Sequence, residues 1–291
     1  MGLALPTVMH RAALRRALFW PPERTRQGQL WAIRAVSEPP HPDDPIGTPG
    51  GLRDFDFGMG SYRTATKDAF ELSYTLDWDA ALAPVNLSSK LAAGAAWRKA
   101  PVLFASSNCR SLSGREAWVG EFMRHVAVDS VGLCLNNRAS DEGTAAAVPQ
   151  ELLMHADLSN FGDAVRAKHA LAYAYKFVIA IENTLAHDYV SEKFFDPLEA
   201  GAVAIYLGAP NVDDYAPGPR AFIDARNRTP ADVAREVAAA DASEELLMSY
   251  HAWRHTPGPE AARTASPLAL LEKRSVTYEE QLCQLCERVG G

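Results

Sequence analysis

Cysteine is scarce in this chain, four among 291 residues, too few for a disulfide-built scaffold. Positive charge is in deficit as well, 29 Lys plus Arg against 36 Asp plus Glu, for a formal charge of −7. That balance gives no overall attraction to nucleic acid or to an anionic membrane, so a polyanionic ligand needs a local cluster of cations. No apolar run approaches the roughly 18 residues of a spanning helix. The opening stretch, Met1 to Trp20, is broken by His10, Arg11, Arg15 and Arg16, a pattern unlike a signal peptide or an anchor, and the chain reads as soluble. Without G-x-G-x-x-G or a Walker sequence, neither a dinucleotide oxidoreductase nor a P-loop enzyme is indicated. No repeat of 20–50 residues is evident, which removes solenoids and propellers.

What is present is an ordinary globular composition, 47% hydrophobic and 22% charged, long enough for two modest domains. Residues 37–52 carry five prolines and three glycines and read as a loop. An alanine-rich helix is expected from Ala80 to Ala96. Val102 to Ala105 then reads as a buried strand, Ser113-Gly-Arg-Glu116 as a capping box, and Ala117, Trp118, Phe122, Met123 and Val126 as one apolar helix face. Val128 to Leu133 is a second strand, completing a βαβ unit. The rhythm repeats: helix Ala164 to Tyr175, strand Phe177 to Ile181, a helix capped by Ser191 and stopped by Gly201, strand Val203 to Leu207. A further helix starts at the Thr229-Pro-Ala-Asp232 capping box, and Thr277 caps a last one. The fold class is α/β, with ligands at the carboxyl ends of parallel strands.

Polar residues concentrate at two such strand ends. One is Ser106-Ser-Asn-Cys-Arg110, with Arg115 a helical turn further on. The other is Glu182-Asn183, followed by His187 to Lys193. Both lead into helix N-termini, where free backbone N–H groups and the macrodipole favour an anion. Arg115 and Lys193 near helix starts are locally unfavourable unless an anion is bound, which points to a phosphate or diphosphate. Asp213-Asp214 reads as a solvated turn, and the histidines do not add up to a metal site. His251 and His255 share a helix face without a third ligand, and Tyr250 and Trp253 read as packing residues. Cys283-Gln-Leu-Cys286 lies in a helical pattern and could be a redox pair, half a zinc site or two half-cystines.

Tyr175-Lys-Phe177, Glu182-Asn183, Asp188-Tyr-Val-Ser-Glu-Lys193 and Leu198-Glu-Ala-Gly-Ala-Val203 together resemble the donor-binding signature of the α1,3-fucosyltransferases, glycosyltransferase family ten. Three weaker stretches agree in order: Ser107-Asn-Cys109 with Arg115, Gln29-Leu-Trp with Glu38-Pro-Pro-His41, and Asp54 to Arg63. The resemblance implies a GT-B architecture of two Rossmann-like domains, the N-terminal one short or truncated and without the family's opening strands. Its domains would be an acceptor side at 1–97, a GDP-fucose-binding domain at 98–275, and a C-terminal helix at 276–291 returning to the first.

It also implies inverting transfer of L-fucose from GDP-fucose to the 3-hydroxyl of GlcNAc in a glycan. Glu38 would be the base; Tyr62, Arg63, Ser107, Asn108, Arg115, Glu182, Asn183, Tyr189, Glu192 and Lys193 would bind the donor. Arg115 and Lys193 would grip the diphosphate, so no metal or other cofactor is implied. The acceptor partner would be a glycan or glycoprotein. Cys109 and Cys134, each after one of two adjacent parallel strands, are candidates for a disulfide; Cys283 and Cys286 are candidates by likeness to eukaryotic members. A Golgi lumenal address follows by the same resemblance, the sequence holding no anchor. The competing class is a catalytically silent nucleotide-sugar or glycan-binding protein. The sequons Asn86-Leu-Ser88 and Asn227-Arg-Thr229 matter if the chain enters the secretory pathway.

Overall fold

The computed structural model describes residues 7–10, 31–35, 57–60, 69–71, 76–92, 95, 97–138 and 163–255. By its contacts the chain divides into two units. One comprises Met1–Ser73, Ala186–Tyr189 and Leu270–Gly291; the other comprises Tyr74–Leu185 and Val190–Ala269.

In the first unit, β1 (Thr7–His10), β2 (Trp31–Ala35), β3 (Phe57–Gly60) and β4 (Ala69–Glu71) form a parallel sheet in the order 1-2-3-4. Sequence patterning assigns no strand here, and the expected lack of opening strands is corrected by β1. The strands run three to five residues and include Arg34, Gly58 and Gly60, too short and mixed for a period of two to register.

The second unit is built on β5 (Val102–Ala105), β6 (Val128–Val131), β7 (Phe177–Ile181), β8 (Val203–Leu207) and β9 (Phe222–Asp224). They are parallel and ordered 6-5-7-8-9. Alternate residues serve opposite faces. Val102, Phe104, Phe177, Ile179, Val203 and Ile205 pack with Val119 and Phe122 of α3 (Arg115–Phe122) and Val233 and Val237 of α6 (Pro230–Ala242). Leu103 and Val178 pack the other way, with Ala170 and Leu171 of α4 (Asp163–Ala172) and with Ala200, just past α5 (Glu192–Glu199). Helices on both faces bury each strand, which is why the strands read as continuous apolar runs. Strand order reverses between β5 and β7, and their carboxyl ends therefore border a crevice.

Local chemistry departs from the sequence expectation in three places. The alanine-rich stretch is two helices, α1 (Trp78–Leu82) and α2 (Leu87–Ala92), because Asn86 Oδ1 accepts the Ser89 N–H at 2.9 Å and starts a new helix after Pro84. At α3 the cap is not the Ser113–Glu116 box. Gly114 occupies the N-cap at φ +70°, and Ser111 Oγ accepts the Arg115 N–H and donates to Glu116. The buried face of α3 is Arg115, Val119 and Phe122, and Ala117 is exposed. Both Ser191 and Thr229 do cap their helices, accepting the N–H groups of Lys193 and Asp232. A last α-helix in the described region, α7 (Glu244–Ser249), leads to a single 3₁₀ turn, Ala252–Arg254, so His251 and His255 flank a turn instead of sharing a long helix. Tyr250 and Trp253 are buried as packing residues. The Thr277 helix lies outside the described residues.

Two residues of the sequence signature are architectural. Tyr175 is fully buried and donates its hydroxyl to Asp129 Oδ2 at 2.6 Å, while the same carboxylate accepts the N–H groups of Lys99 and Ala100. Lys176 reaches across to Asp241 at 2.6 Å. Tyr175→Phe should therefore lower the unfolding free energy by about 1–3 kcal/mol, because it leaves a buried carboxylate short of a donor. Urea titration checks this; an unchanged midpoint would mean that the hydroxyl does not matter.

Candidate active site

At the switch point, Glu182 directly follows β7 and has no exposed surface. Its carboxylate accepts the Ser191 N–H and the Ser191 hydroxyl, each at 2.7 Å, and lies 3.4 Å from the Lys193 ammonium. Ser191 Oγ in turn accepts from Lys193 Nζ at 2.8 Å. One serine thus links the strand end to the first turn of α5. Burial pushes the Glu182 carboxyl above its ordinary range, against the pull of Lys193 and Ser191. Gly208 lies against this knot: a Cβ there would come within 2.2 Å of the Tyr206 hydroxyl and 2.7 Å of Glu182 Cγ, so the position has no room for a side chain.

Arg115, the first residue of α3, spans the same crevice. Its Nη1 donates to the Ile181 carbonyl at 3.1 Å and to Asn183 Oδ1 at 2.8 Å, and its Nη2 donates to the Asn108 carbonyl at 2.6 Å and, weakly, to Glu116 at 3.5 Å. Four of its five N–H groups are taken, and among the described residues the buried Nε–H has no partner. The guanidinium therefore ties the turn after β5 to the end of β7. Ser107 and Asn108 are exposed on that turn, and Asn108 Oδ1 accepts the Arg110 N–H. Next to them Cys109 is disulfide-bonded to Cys134, which follows the neighbouring strand β6.

Glu192 opens α5 and holds two cations, Lys193 at 3.2 Å and Lys168 of α4 at 3.3 Å. Burial alone would raise its pKa, but the two ammonium groups override that and hold it down at about 2. Lys168 also contacts Asp196 at 3.2 Å, and these two acids keep its pKa up despite burial. Sequence reasoning missed Lys168, because the pairing joins different helices with no local motif.

The expected site residues thus divide. Ser107, Asn108, Arg115, Glu182, Asn183, Glu192 and Lys193 all lie on the loops and helix starts around the β5–β7 crevice. Tyr189 is buried, within a segment that groups with the first unit. Glu38, Tyr62, Arg63, Cys283 and Cys286 lie outside the described residues. One carboxylate cluster went unremarked in the sequence: His169, Asp196 and Glu199 bring one ligand atom each within 4.8 Å of one another. Lys168 is already 3.2 Å from Asp196, a cation competing with any metal there.

Lys168→Met should raise the Glu192 pKa by about one unit, since one of its two ammonium partners goes. The sign is that of a depressed carboxyl: the stability that Glu192 contributes is present above its unfolded value and lost as pH falls towards about 2. An NMR titration of the Glu192 carboxyl checks the shift, and an unmoved midpoint would deny the pairing. Lys168→Arg should retain the wild-type value.

With this geometry in place, residues 95–290 match glycosyltransferase family 10 (fucosyltransferase), C-terminal region. GDP-fucose protein O-fucosyltransferase 3 of Xenopus laevis is 33% identical over 201 residues, covering 66% of this chain and 40% of the frog protein. Its human namesake is 30% identical over 174 residues, covering 60% of this chain and 33% of the human protein. The chain thus spans well under half the length of these relatives. A crystal structure of an α1,3-fucosyltransferase with GDP-fucose superposes with a TM-score of 0.51 at 15% identity, covering 77% of this chain and 66% of that one. That likeness fixes the fold as GT-B, α/β with parallel sheets. The chain belongs to the fucosyltransferases of glycosyltransferase family 10.

Proposed function

We propose that the chain transfers L-fucose from GDP-fucose to a hydroxyl group of a polypeptide, with inversion at the sugar. The observation that carries this reading is the knot of Glu182, Ser191, Lys193 and Glu192 at the start of α5, beside the β5–β7 switch point, in a member of family 10. A departing nucleoside diphosphate gains negative charge as the glycosidic bond breaks, and the positive end of α5 with Lys193 is where that charge is best met. Arg115 works mainly as the brace that sets Asn108 and Asn183, with its Nε–H left for a phosphate oxygen. Ionised Glu192 is suited to accept hydrogen bonds from ribose hydroxyls. Glu38 is the base that takes the acceptor proton, and Tyr62 and Arg63 complete the donor site, on the strength of the sequence resemblance. The chemistry needs no divalent ion on this reading.

The acceptor departs from the GlcNAc 3-hydroxyl expected from sequence, because the relatives at 30–33% identity are named protein O-fucosyltransferases. The Cys109–Cys134 disulfide supports an oxidising secretory compartment such as the Golgi lumen. Among the described residues no helix is long and apolar enough to cross a membrane.

Mass spectrometry after incubation with GDP-fucose, without added metal, decides between acceptors. Folded secretory domains rich in Ser and Thr form one panel, and N-acetyllactosamine and N-glycans form the other. Fucose on a polypeptide hydroxyl is the expected product. Fucose on GlcNAc would restore the glycan reading, and GDP-fucose binding without any transfer would favour the silent binding protein. In the active case, Lys193→Ala should lower kcat/KM by about 100-fold.

A further inference from the structure

At the edge of the second unit's sheet opposite the donor crevice, where α4 and α5 end, lies a cavity of about 310 Å³, at the lower end of the range for ligand pockets. Ala83, Pro84 and Val85 of the α1–α2 turn give it an apolar wall, and Glu199 borders it. Two cations line it: Lys90, 9% exposed, and Arg254, wholly buried.

Both cations serve the helix ends. Lys90 Nζ donates to the Ala172 carbonyl at 3.0 Å and the Ala200 carbonyl at 2.7 Å. Arg254 Nη2 donates to the Leu198 carbonyl, and its Nε contacts His251 Nδ1 at 3.4 Å. Yet these carbonyls leave the two cations under-compensated. Two helix C-termini present about one negative charge between them, Lys90 and Arg254 lie over the Tyr173 and Trp253 rings at 5.8 and 4.6 Å, and among the described residues neither cation has a carboxylate partner. Among the described residues Arg254 Nη1 is buried without an acceptor, and an ammonium with two acceptors has a third N–H to give. Buried charges are normally paired, because an unpaired one is costly. Burial and the neighbouring Arg254 push the Lys90 ammonium well below its ordinary pKa.

We propose that this cavity is a second ligand site, which takes a small organic monocarboxylate. Its carboxylate lies between Lys90 and Arg254, and its apolar body lies against Ala83, Pro84 and Val85. A monoanion suits the site better than a phosphate dianion, because the carbonyls of Leu198, Ala200 and Ala172 stand close by and the facing wall is apolar. The site needs no assumption about the transfer reaction.

NMR titration of the full chain with butyrate tests it, with butyramide as the uncharged match and inorganic phosphate as the second anion. All proteins carry Ser88→Ala, so that no glycan on Asn86 stands at the cavity mouth. Butyrate should bind about tenfold more tightly than butyramide and perturb resonances of residues 83–90. Lys90→Met should remove the preference for the anion, and Val85→Phe, which fills the cavity without touching either cation, should weaken binding of both probes. Cooperative thermal unfolding verifies that each variant folds. Equal affinity for butyrate and butyramide, preferential binding of phosphate, or binding unaffected by Val85→Phe would each overturn the assignment.

Discussion

A carboxylate with no access to water governs the carboxyl edge of the second unit's sheet. Glu182 directly follows a strand buried on both faces and is itself without exposed surface, so its side chain must find donors within the protein. It finds them in the first turn of α5, where Ser191 supplies both an N–H and an O–H. That requirement fixes where α5 begins, points Lys193 back at the strand end and leaves Glu192 facing α4. Arg115 makes the matching connection from the β5 side. The crevice is therefore held by hydrogen bonds between strand ends and helix starts, and its cations are in position before any ligand arrives. Preorganised charge of this kind is what a reaction with a departing diphosphate uses.

How much of this was legible in the sequence depended on distance along the chain. Val102 to Ala105, Phe177 to Ile181 and Val203 to Leu207 are short apolar runs whose burial on both faces leaves an unbroken signal. Ser191 and Thr229 sit at fixed offsets from the N–H groups they cap, so local spacing sufficed. At α3 the same rule misled, because Ser111 reached the helix start from outside the motif and Gly114 took the cap position. The short strands of the first unit left no periodic trace. Long-range partners were invisible. Lys168 meets Glu192 across 24 residues, Lys90 meets Ala172 across 82, and Arg254 meets Leu198 across 56. The signature residues Tyr175 and Lys176 show the converse, since a recognisable motif contained members whose contacts are structural.

The two edges of the sheet use cations differently. At the carboxyl edge, Lys193 and Lys168 share the Glu192 carboxylate, which is held down at about 2 between them. At the opposite edge, among the described residues, Lys90 and Arg254 meet carbonyl oxygens, an imidazole nitrogen and the faces of the Tyr173 and Trp253 rings, and no carboxylate. Glu199, which borders that cavity, is pushed up to about 7 by burial, against the hydrogen bond from the Asp77 N–H. That upward shift weakens it as a counter-charge for the two cations.

Calorimetric titration with GDP tests the central claim most directly, using the wild-type chain, Ser191→Ala and Ser191→Thr. If the serine that joins Glu182 to Lys193 sets the diphosphate site, wild type and Ser191→Thr bind GDP comparably, while Ser191→Ala binds about tenfold more weakly and still unfolds cooperatively. Equal affinity across all three, or no GDP binding by the folded wild-type chain, would contradict the account.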